Sequence, residues 1–275
     1  KAEDGLLQFD HLPDRGTGSM STYSDTKVLL ETLKLKGAAK RLESLLETAE
    51  NESMTFTDFL RTTLETELAD RAERRLKRNL AAAHLPVEKR IEDFEFPRVE
   101  GITRSQAMNL LDFRWIDLHQ NLIFLGPPGF GKTHLAAALS LKALYAGYTV
   151  CFERMSNLVK MLKTAEIHRA SAFRINRILR SHVLVIDEIG YTPIDRKEAN
   201  LFFNLISELY ERASLIITSN KDFDSWAEMM GDDILTTAML DRLLHHAHIY
   251  SMDGDSYRLP QHKSTPKEEP DSVSV

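Results

Sequence analysis

A strand, a glycine-rich turn and a helix follow one another directly between residues 121 and 139, and few folds accommodate that succession. Asn121-Leu122-Ile123-Phe124-Leu125 is a short apolar run of the kind that forms a buried strand. Gly126-Pro127-Pro128-Gly129-Phe130-Gly131-Lys132-Thr133 comes next and satisfies G-x-x-x-x-G-K-[ST]. Thr133-His134-Leu135-Ala136-Ala137-Ala138-Leu139 reads as the helix that leaves the loop. The glycines let successive backbone N–H groups turn toward phosphate oxygens, and the helix N-terminus favours an anion. Lys132 is placed to neutralise β- and γ-phosphate charge, and the Thr133 hydroxyl to ligate Mg²⁺. Residues 126–134, ending at His134, are therefore the expected ATP cradle. A chance glycine-rich turn would not need this strand before it and this helix after it.

Downstream the pattern alternates strand and helix, which predicts an α/β domain with a parallel sheet and helices on both faces. Val183-Leu184-Val185-Ile186 is a continuous apolar run, as a central strand requires, and it ends in Asp187-Glu188. Ligands bind at the carboxyl ends of such strands. Asp187 is placed to hold Mg²⁺ through its water shell, and Glu188 to act as general base on the attacking water. Leu215-Ile216-Ile217-Thr218 is a further buried strand, followed by Ser219-Asn220. Asn220 there is either a water-orienting residue or a turn residue. Helices are expected from Ser156 to about Leu179, from the Asp195-x-x-Glu198 capping box through Ala213, and from Asp233 to Ala247. Arg242 and Arg258 are each either a surface ion-pair partner or a stabiliser of charge on the transferring phosphoryl group. His245-His246-Ala247-His248 has no accompanying acidic or thiol residue at ligand spacing, and helical geometry points its first two rings apart, so it reads as helix-end and strand-start residues.

The remaining residues set limits. No apolar run approaches the ~18 residues that span a bilayer, and no secretory signal pattern is present. No membrane association is expected, and the location is read as cytoplasmic. Cys151, the single cysteine, excludes an intramolecular disulfide and reads as a buried strand residue. A net charge of −6 means that any contact with nucleic acid comes from local patches. Two candidate patches are present. One is the stretch containing Lys160, Lys163, His168, Arg169, Arg174, Arg177 and Arg180, opposed only by Glu166. The other is Arg71, Arg74, Arg75 and Arg78 at three- and four-residue spacing on a helix that also carries Glu65, Glu67, Asp70 and Glu73. Each is a phosphate-contacting surface or a solvated helix face.

Residues 1–19 read as an expression-tag remnant, because Asp14-Arg15-Gly16-Thr17-Gly18-Ser19 precedes Met20 like a cloning scar. Residues 20–90 read as a small helical module. One helix is capped by Ser24 or Asp25, and a second starts near Thr55 or Thr57 and carries Phe56, Leu60, Leu64, Leu68, Ala72, Leu76 and Leu80 every four residues in one slowly drifting apolar stripe. Residues 91–259 form the nucleotide-binding domain. It opens with a connector whose Phe94, Phe96, Phe113 and Trp115 are either core or packed beside an adenine. Residues 260–275 are polar and expected to lack fixed structure.

The set Gly126–Thr133, Asp187-Glu188-Ile189-Gly190-Tyr191, Ile217-Thr218-Ser219-Asn220, Leu240-Asp241-Arg242-Leu243-Leu244-His245-His246 and Asp255-Ser256-Tyr257-Arg258-Leu259 resembles the IstB family, AAA+ ATPases that assist the IstA transposase of insertion sequences. The likeness spans residues 27–259 and extends to the helicase loader DnaC. It implies an AAA+ three-layer sheet preceded by an all-helical module. It implies that Arg242 is an arginine finger reaching a neighbouring subunit's ATP, Arg258 a sensor of the same subunit's nucleotide, and Asn220 the first sensor. It also implies an ATP-dependent homo-oligomer on double-stranded DNA that recruits an IstA-type transposase. A helicase loader, and a DNA scaffold that binds ATP without turnover, are the alternatives.

Overall fold

The computed structural model describes residues 19–86, 89–191 and 193–254. The chain divides into two compact units, the break falling between Arg78 and Asn79.

The first unit is helical: α1 (Ser19–Thr32), α2 (Lys36–Asn51) and most of α3 (Phe56–Ala83). The segment expected to be one helix from Ser24 or Asp25 is two. α1 runs through both candidate caps, and the chain breaks at Lys34, whose φ is 60°. α2 buries Gly37, Ala38, Ala39, Leu42 and Leu45. Its own N-cap position, Leu35, offers no side-chain hydrogen bond. Glu67 of α3 supplies the missing acceptor, taking the amides of Gly37 at 2.6 Å and Ala38 at 3.2 Å. A buried carboxylate thereby sits at the positive end of a helix. Burial raises the affinity of Glu67 for a proton, but the Arg71 hydrogen bond and the two amides outweigh that and hold its carboxyl below the ordinary value. The expected apolar stripe of α3 does not form one buried face, because Phe56, Leu60, Leu64 and Leu68 are all exposed. A four-residue repeat drifts by about 40° per step against a 3.6-residue turn, so it cannot stay on one side.

The second unit is built on five parallel strands in the order β3-β4-β5-β2-β6. They are β2 (Asn121–Leu125), β3 (Val150–Arg154), β4 (Val183–Ile189), β5 (Ser214–Ser219) and β6 (Ala247–Ser251). A separate two-residue antiparallel pair joins β1 (Val99–Glu100) to β7 (Asp253–Gly254). Short helices α4 (Arg104–Asn109) and α5 (Arg114–Asp117) precede β2. Trp115 is core, with its indole N–H donating to the Leu110 carbonyl at 2.9 Å. Between the strands run α6 (Lys132–Tyr145), α7 (Met155–Thr164), α8 (Arg169–Ile178), α9 (Arg196–Leu209), α10 (Asp224–Met230) and α11 (Asp233–Leu244).

Alternation along the strands sorts the core. Ile123, Cys151, Leu184, Ile186, Leu215 and Ile217 pack with side chains of α7, α9, α10 and α11 in one cluster. The intervening Leu122, Phe124, Val183, Val185 and Ile216 are equally buried on the face that α6 covers. α6 is accordingly apolar almost all round, and ten of its fourteen residues are buried. The helix expected over 156–179 is two, broken at 165–168. α9 stops at Leu209, four residues short of the expected Ala213, because the chain must reverse at Tyr210-Glu211 to enter β5. α11 stops at Leu244 because Ala247 is already paired with Asn121. The capping box at Asp195 and Glu198 forms in both directions, each bond 2.8 Å. Cys151 is fully buried, and burial pushes its thiol pKa up. No described helix is long and apolar enough to cross a membrane.

Candidate nucleotide site

Strand order explains how residues fifty and a hundred positions apart reach one site. β5 lies between β2 and β4, so the loop after β2 and the acidic end of β4 are two strand spacings apart, about 10 Å. β5 delivers Ser219-Asn220 into the gap. One hollow of about 320 Å³ is lined by Gly129, Lys132, Thr133, Glu188, Thr218 and Asn220.

The glycine-rich loop is held open by its backbone. Gly126, Gly129 and Gly131 have φ of 138°, 98° and 80°. At Gly126 a Cβ would stand 1.9 Å from the Met252 carbonyl oxygen, so no side chain fits. Gly131 is the N-cap of α6 and provides no side-chain acceptor, which leaves the first amides of the helix facing the hollow. Pro127 and Pro128 are exposed, whereas Phe130 is buried and anchors the loop. Lys132 is 9% exposed, and its ammonium donates to the carbonyls of Gly126 and Pro127, each at 2.6 Å. His134 faces Phe94 edge-on, with ring centroids 5.4 Å apart, and its Nε2 is 2.9 Å from the Arg90 carbonyl oxygen. Pro86 and Lys89 border the same hollow.

Asp187 is 1% exposed and accepts from two hydroxyls, Thr133 at 2.8 Å and Thr218 at 2.6 Å. The Thr133 hydroxyl and Asp187 carboxylate are the hard oxygen donors that a divalent cation takes; Thr133 lines the hollow that Lys132 borders, and Asp187 lies directly behind it. The residues fit Mg²⁺. Glu188 has φ 65°, left-handed for a non-glycine residue, at a bulge where the β4–β5 register slips between Ile186 and Ile189. That kink carries the Glu188 side chain to the rim of the hollow while Asp187 stays beneath it. The Glu188 amide donates to the Thr218 hydroxyl at 3.0 Å, and its carboxylate lies 3.4 Å from Arg154 Nε. The side-chain oxygen of Asn220 is buried and has no partner. The residue nevertheless lines the hollow together with Glu188 and Lys132. Gly190 makes room for it, since a Cβ there would stand 2.7 Å from that oxygen.

A match to the family model of the IstB-like ATP binding protein covers residues 28–265. The chain is 41% identical over 237 residues to the insertion sequence IS21 ATP-binding protein of Pseudomonas aeruginosa, covering 86% of this chain and 89% of that one. It is 37% identical over 227 residues to the insertion sequence IS5376 ATP-binding protein of Geobacillus stearothermophilus, covering 82% and 90%. This chain belongs to the IstB-like ATP-binding family. The fold is that of the AAA+ ATPases. A crystal structure of DnaI superposes with a TM-score of 0.51 at 16% identity, over 60% of this chain and 92% of that one.

Within the IstB-like frame, the remaining candidates fall in different places. Arg242 is not at the site of its own chain. It donates to the Ala238 carbonyl at 2.7 Å, lies 4.9 Å from the Phe203 ring centre and shares a crevice with Asn121, Tyr210 and His246. That is the amino end of β2, whereas the phosphate loop follows its carboxyl end, roughly 13 Å away along the strand. Arg258 lies outside the described residues. Arg174, expected as a DNA contact, is 8% exposed and bound to Glu153 at 2.5 Å, so it is corrected to a structural residue. Lys163 is tied to Glu198 at 2.7 Å, while Lys160 and Arg169 have no ion-pair partner among the described residues. In the α3 stripe, Arg71 and Arg74 are turned onto Glu67 and Asp70, and Arg75 and Arg78 are exposed. The His245 and His246 rings do not point apart. Their centroids are 4.0 Å from each other, and Glu211 lies 3.9 Å from His246 Nε2. The sequence did not mark Thr218 or Arg154 as site residues. Thr218 carried a signal, since a hydroxyl directly follows the apolar run Leu215-Ile216-Ile217. Arg154 carried none.

Proposed function

We propose that this protein hydrolyses ATP to ADP and phosphate, and that the nucleotide controls its assembly on duplex DNA, where it recruits a transposase of the IstA type. The observation that carries the hydrolytic part is the convergence of Lys132, Thr133, Glu188 and Asn220 on one hollow, with Asp187 bound to the Thr133 hydroxyl behind its wall. In the mechanism we infer, the phosphates of ATP enter the cradle of loop amides. Lys132 leaves the Gly126 and Pro127 carbonyls and turns to the β- and γ-phosphates. Thr133 and Asp187 would hold Mg²⁺, which when bound neutralises phosphate charge. Glu188 leaves Arg154 and takes a proton from the attacking water, which Asn220, in the same lining, orients. Thr218 steadies both acidic residues, by its hydroxyl to Asp187 and by its acceptance of the Glu188 amide.

Arg242 has no role at its own chain's nucleotide, and its place at the far end of β2 supports its action at a neighbour's. Two chains then complete each site, so ATP favours the oligomer and hydrolysis loosens it. Arg258 is proposed as the arginine that senses the nucleotide of its own chain. Duplex DNA as the partner rests on the insertion-sequence relatives and on Lys160 and Arg169, cations without an ion-pair partner among the described residues.

The test is ATP turnover with and without duplex DNA. The parent protein should be stimulated by DNA. Glu188→Gln should bind ATP normally and lose turnover by about 10²–10⁴-fold, the scale of a general base, while remaining on DNA. Parent-like turnover in Glu188→Gln would remove the base from Glu188. Co-purification with IstA rather than with a ring helicase is the expected outcome for the partner, and the reverse would assign a loader.

A further inference from the structure

We propose that α8 carries an apolar wedge, Phe173, that inserts between base pairs of duplex DNA and kinks it. The proposal rests on the DNA reading above and assigns it an element and a mode.

Phe173 is 71% exposed on a helix whose other face is fixed firmly. From the inner face Arg174 donates to the Glu153 carboxylate at 2.5 Å, to the Ala82 carbonyl at 2.6 Å and to the Phe152 carbonyl at 3.4 Å. Ile178, one turn on, is fully buried. The outer face reads Arg169, Phe173, Arg177 at four-residue spacing, with Arg180 just beyond the helix end. An aromatic ring therefore stands on a rigid base with cations before and after it.

The relief around the ring is that of a ridge. On one side lies a hollow of about 720 Å³ that Lys160, Met161, Arg169 and Arg177 help to line. On the other lies one of about 500 Å³ that Thr149, Asn176 and Arg180 help to line. Phe173 forms a wall of both. None of Lys160, Arg169, Arg177 and Arg180 has an ion-pair partner among the described residues, and Glu153, the acidic residue in these linings, is already held by Arg174. A protein-docking patch has an apolar core and excludes charge from it. Here one exposed aromatic shares its two hollows with Lys160, Arg169, Arg177 and Arg180, a pattern that fits a stacked base flanked by phosphates.

The dimensions agree. Arg169 and Arg177 stand about 6 Å along the helix to either side of the ring. That is within side-chain reach of the phosphates on both sides of one base step. Inserting a ring demands that it not fold back, and the Arg174 anchor meets that demand.

The test uses the full chain with a non-hydrolysable ATP analogue. A duplex with 2-aminopurine at successive steps reports unstacking, and dyes at its two ends report bending by energy transfer. The parent should raise 2-aminopurine emission several-fold and bring the ends together. Phe173→Ala should lose both signals while its salt dependence of binding is unchanged. Phe173→Leu, still a wedge, should keep most of both. Arg169→Ala should do the opposite, lowering the salt slope by about 1 while unstacking survives. Phe173→Ala that unstacks and bends DNA like the parent overturns the wedge. So does a Phe173→Ala defect that appears as lost ATP-dependent assembly without DNA, which would make the ring a protein contact. A parent that binds DNA without unstacking it also overturns the wedge alone, whereas a parent that binds no DNA removes the DNA reading beneath it.

Discussion

Glu188 is held in a conformation that few side chains adopt, and what surrounds it explains why. Its φ of 65° costs on the order of 1 kcal/mol or more, and the bulge at Ile186–Ile189 together with the Thr218 hydroxyl on its amide sustains it. The carboxylate faces the hollow but is shared with Arg154 at 3.4 Å, both side chains being partly exposed. Pairs of that kind are worth about 0–1 kcal/mol. Arg154→Ala should therefore raise basal ATP turnover by about two- to five-fold without changing ATP affinity, as read in a steady-state assay. No change, or a fall, would mean that Arg154 does not restrain Glu188. Gly126→Ala belongs to the same scale. Its Cβ would strike the Met252 carbonyl at a φ of 138°, so nucleotide binding should be lost outright by equilibrium titration. These residues divide cleanly by legibility. The loop and the Asp187-Glu188 pair were readable because their chemistry is local in sequence. Arg154 and the demotion of Arg174 were not, because burial and partners of a cation depend on strands and helices distant in the chain.

Elements show the same division between local and distant causes. The Asp195–Glu198 capping box was legible because both halves lie within four residues. The N-terminus of α2 was not, because its cap is the Glu67 carboxylate thirty residues away. The β1–β7 pair joins residues more than 150 positions apart and has no periodicity to announce it. The Glu67 cap makes a pH prediction. Its folded pKa lies below the ordinary 4.5, so its contribution is fully present above that value and is lost as pH falls through the lower folded value. Glu67→Gln should lower stability at neutral pH by on the order of 1–2 kcal/mol in urea titration. The gap between parent and variant should close progressively below about pH 4.5. A gap that stayed constant down to pH 3 would show that the carboxylate's charge is not what caps α2.

At the scale of the whole molecule, parallel strands in the order β3-β4-β5-β2-β6 place the described nucleotide-site residues at the carboxyl ends of the strands and Arg242 at the amino end. Alternating strand and helix signals predicted the sheet but not its order, and the order decides which residues meet. If Arg242 acts at a nucleotide, as proposed, that nucleotide belongs to a second chain, and a mixing experiment tests this most directly. Glu188→Gln keeps its arginine and lacks its base, whereas Arg242→Ala keeps its base and lacks its arginine. Each alone should bind ATP and turn it over poorly. Mixed one to one with DNA present, the two should recover about a quarter of parental turnover, because a quarter of randomly formed interfaces pair an intact base with an intact neighbouring arginine. A mixture as inactive as its two components would contradict the account, because it would mean that Arg242 does not complete another chain's site.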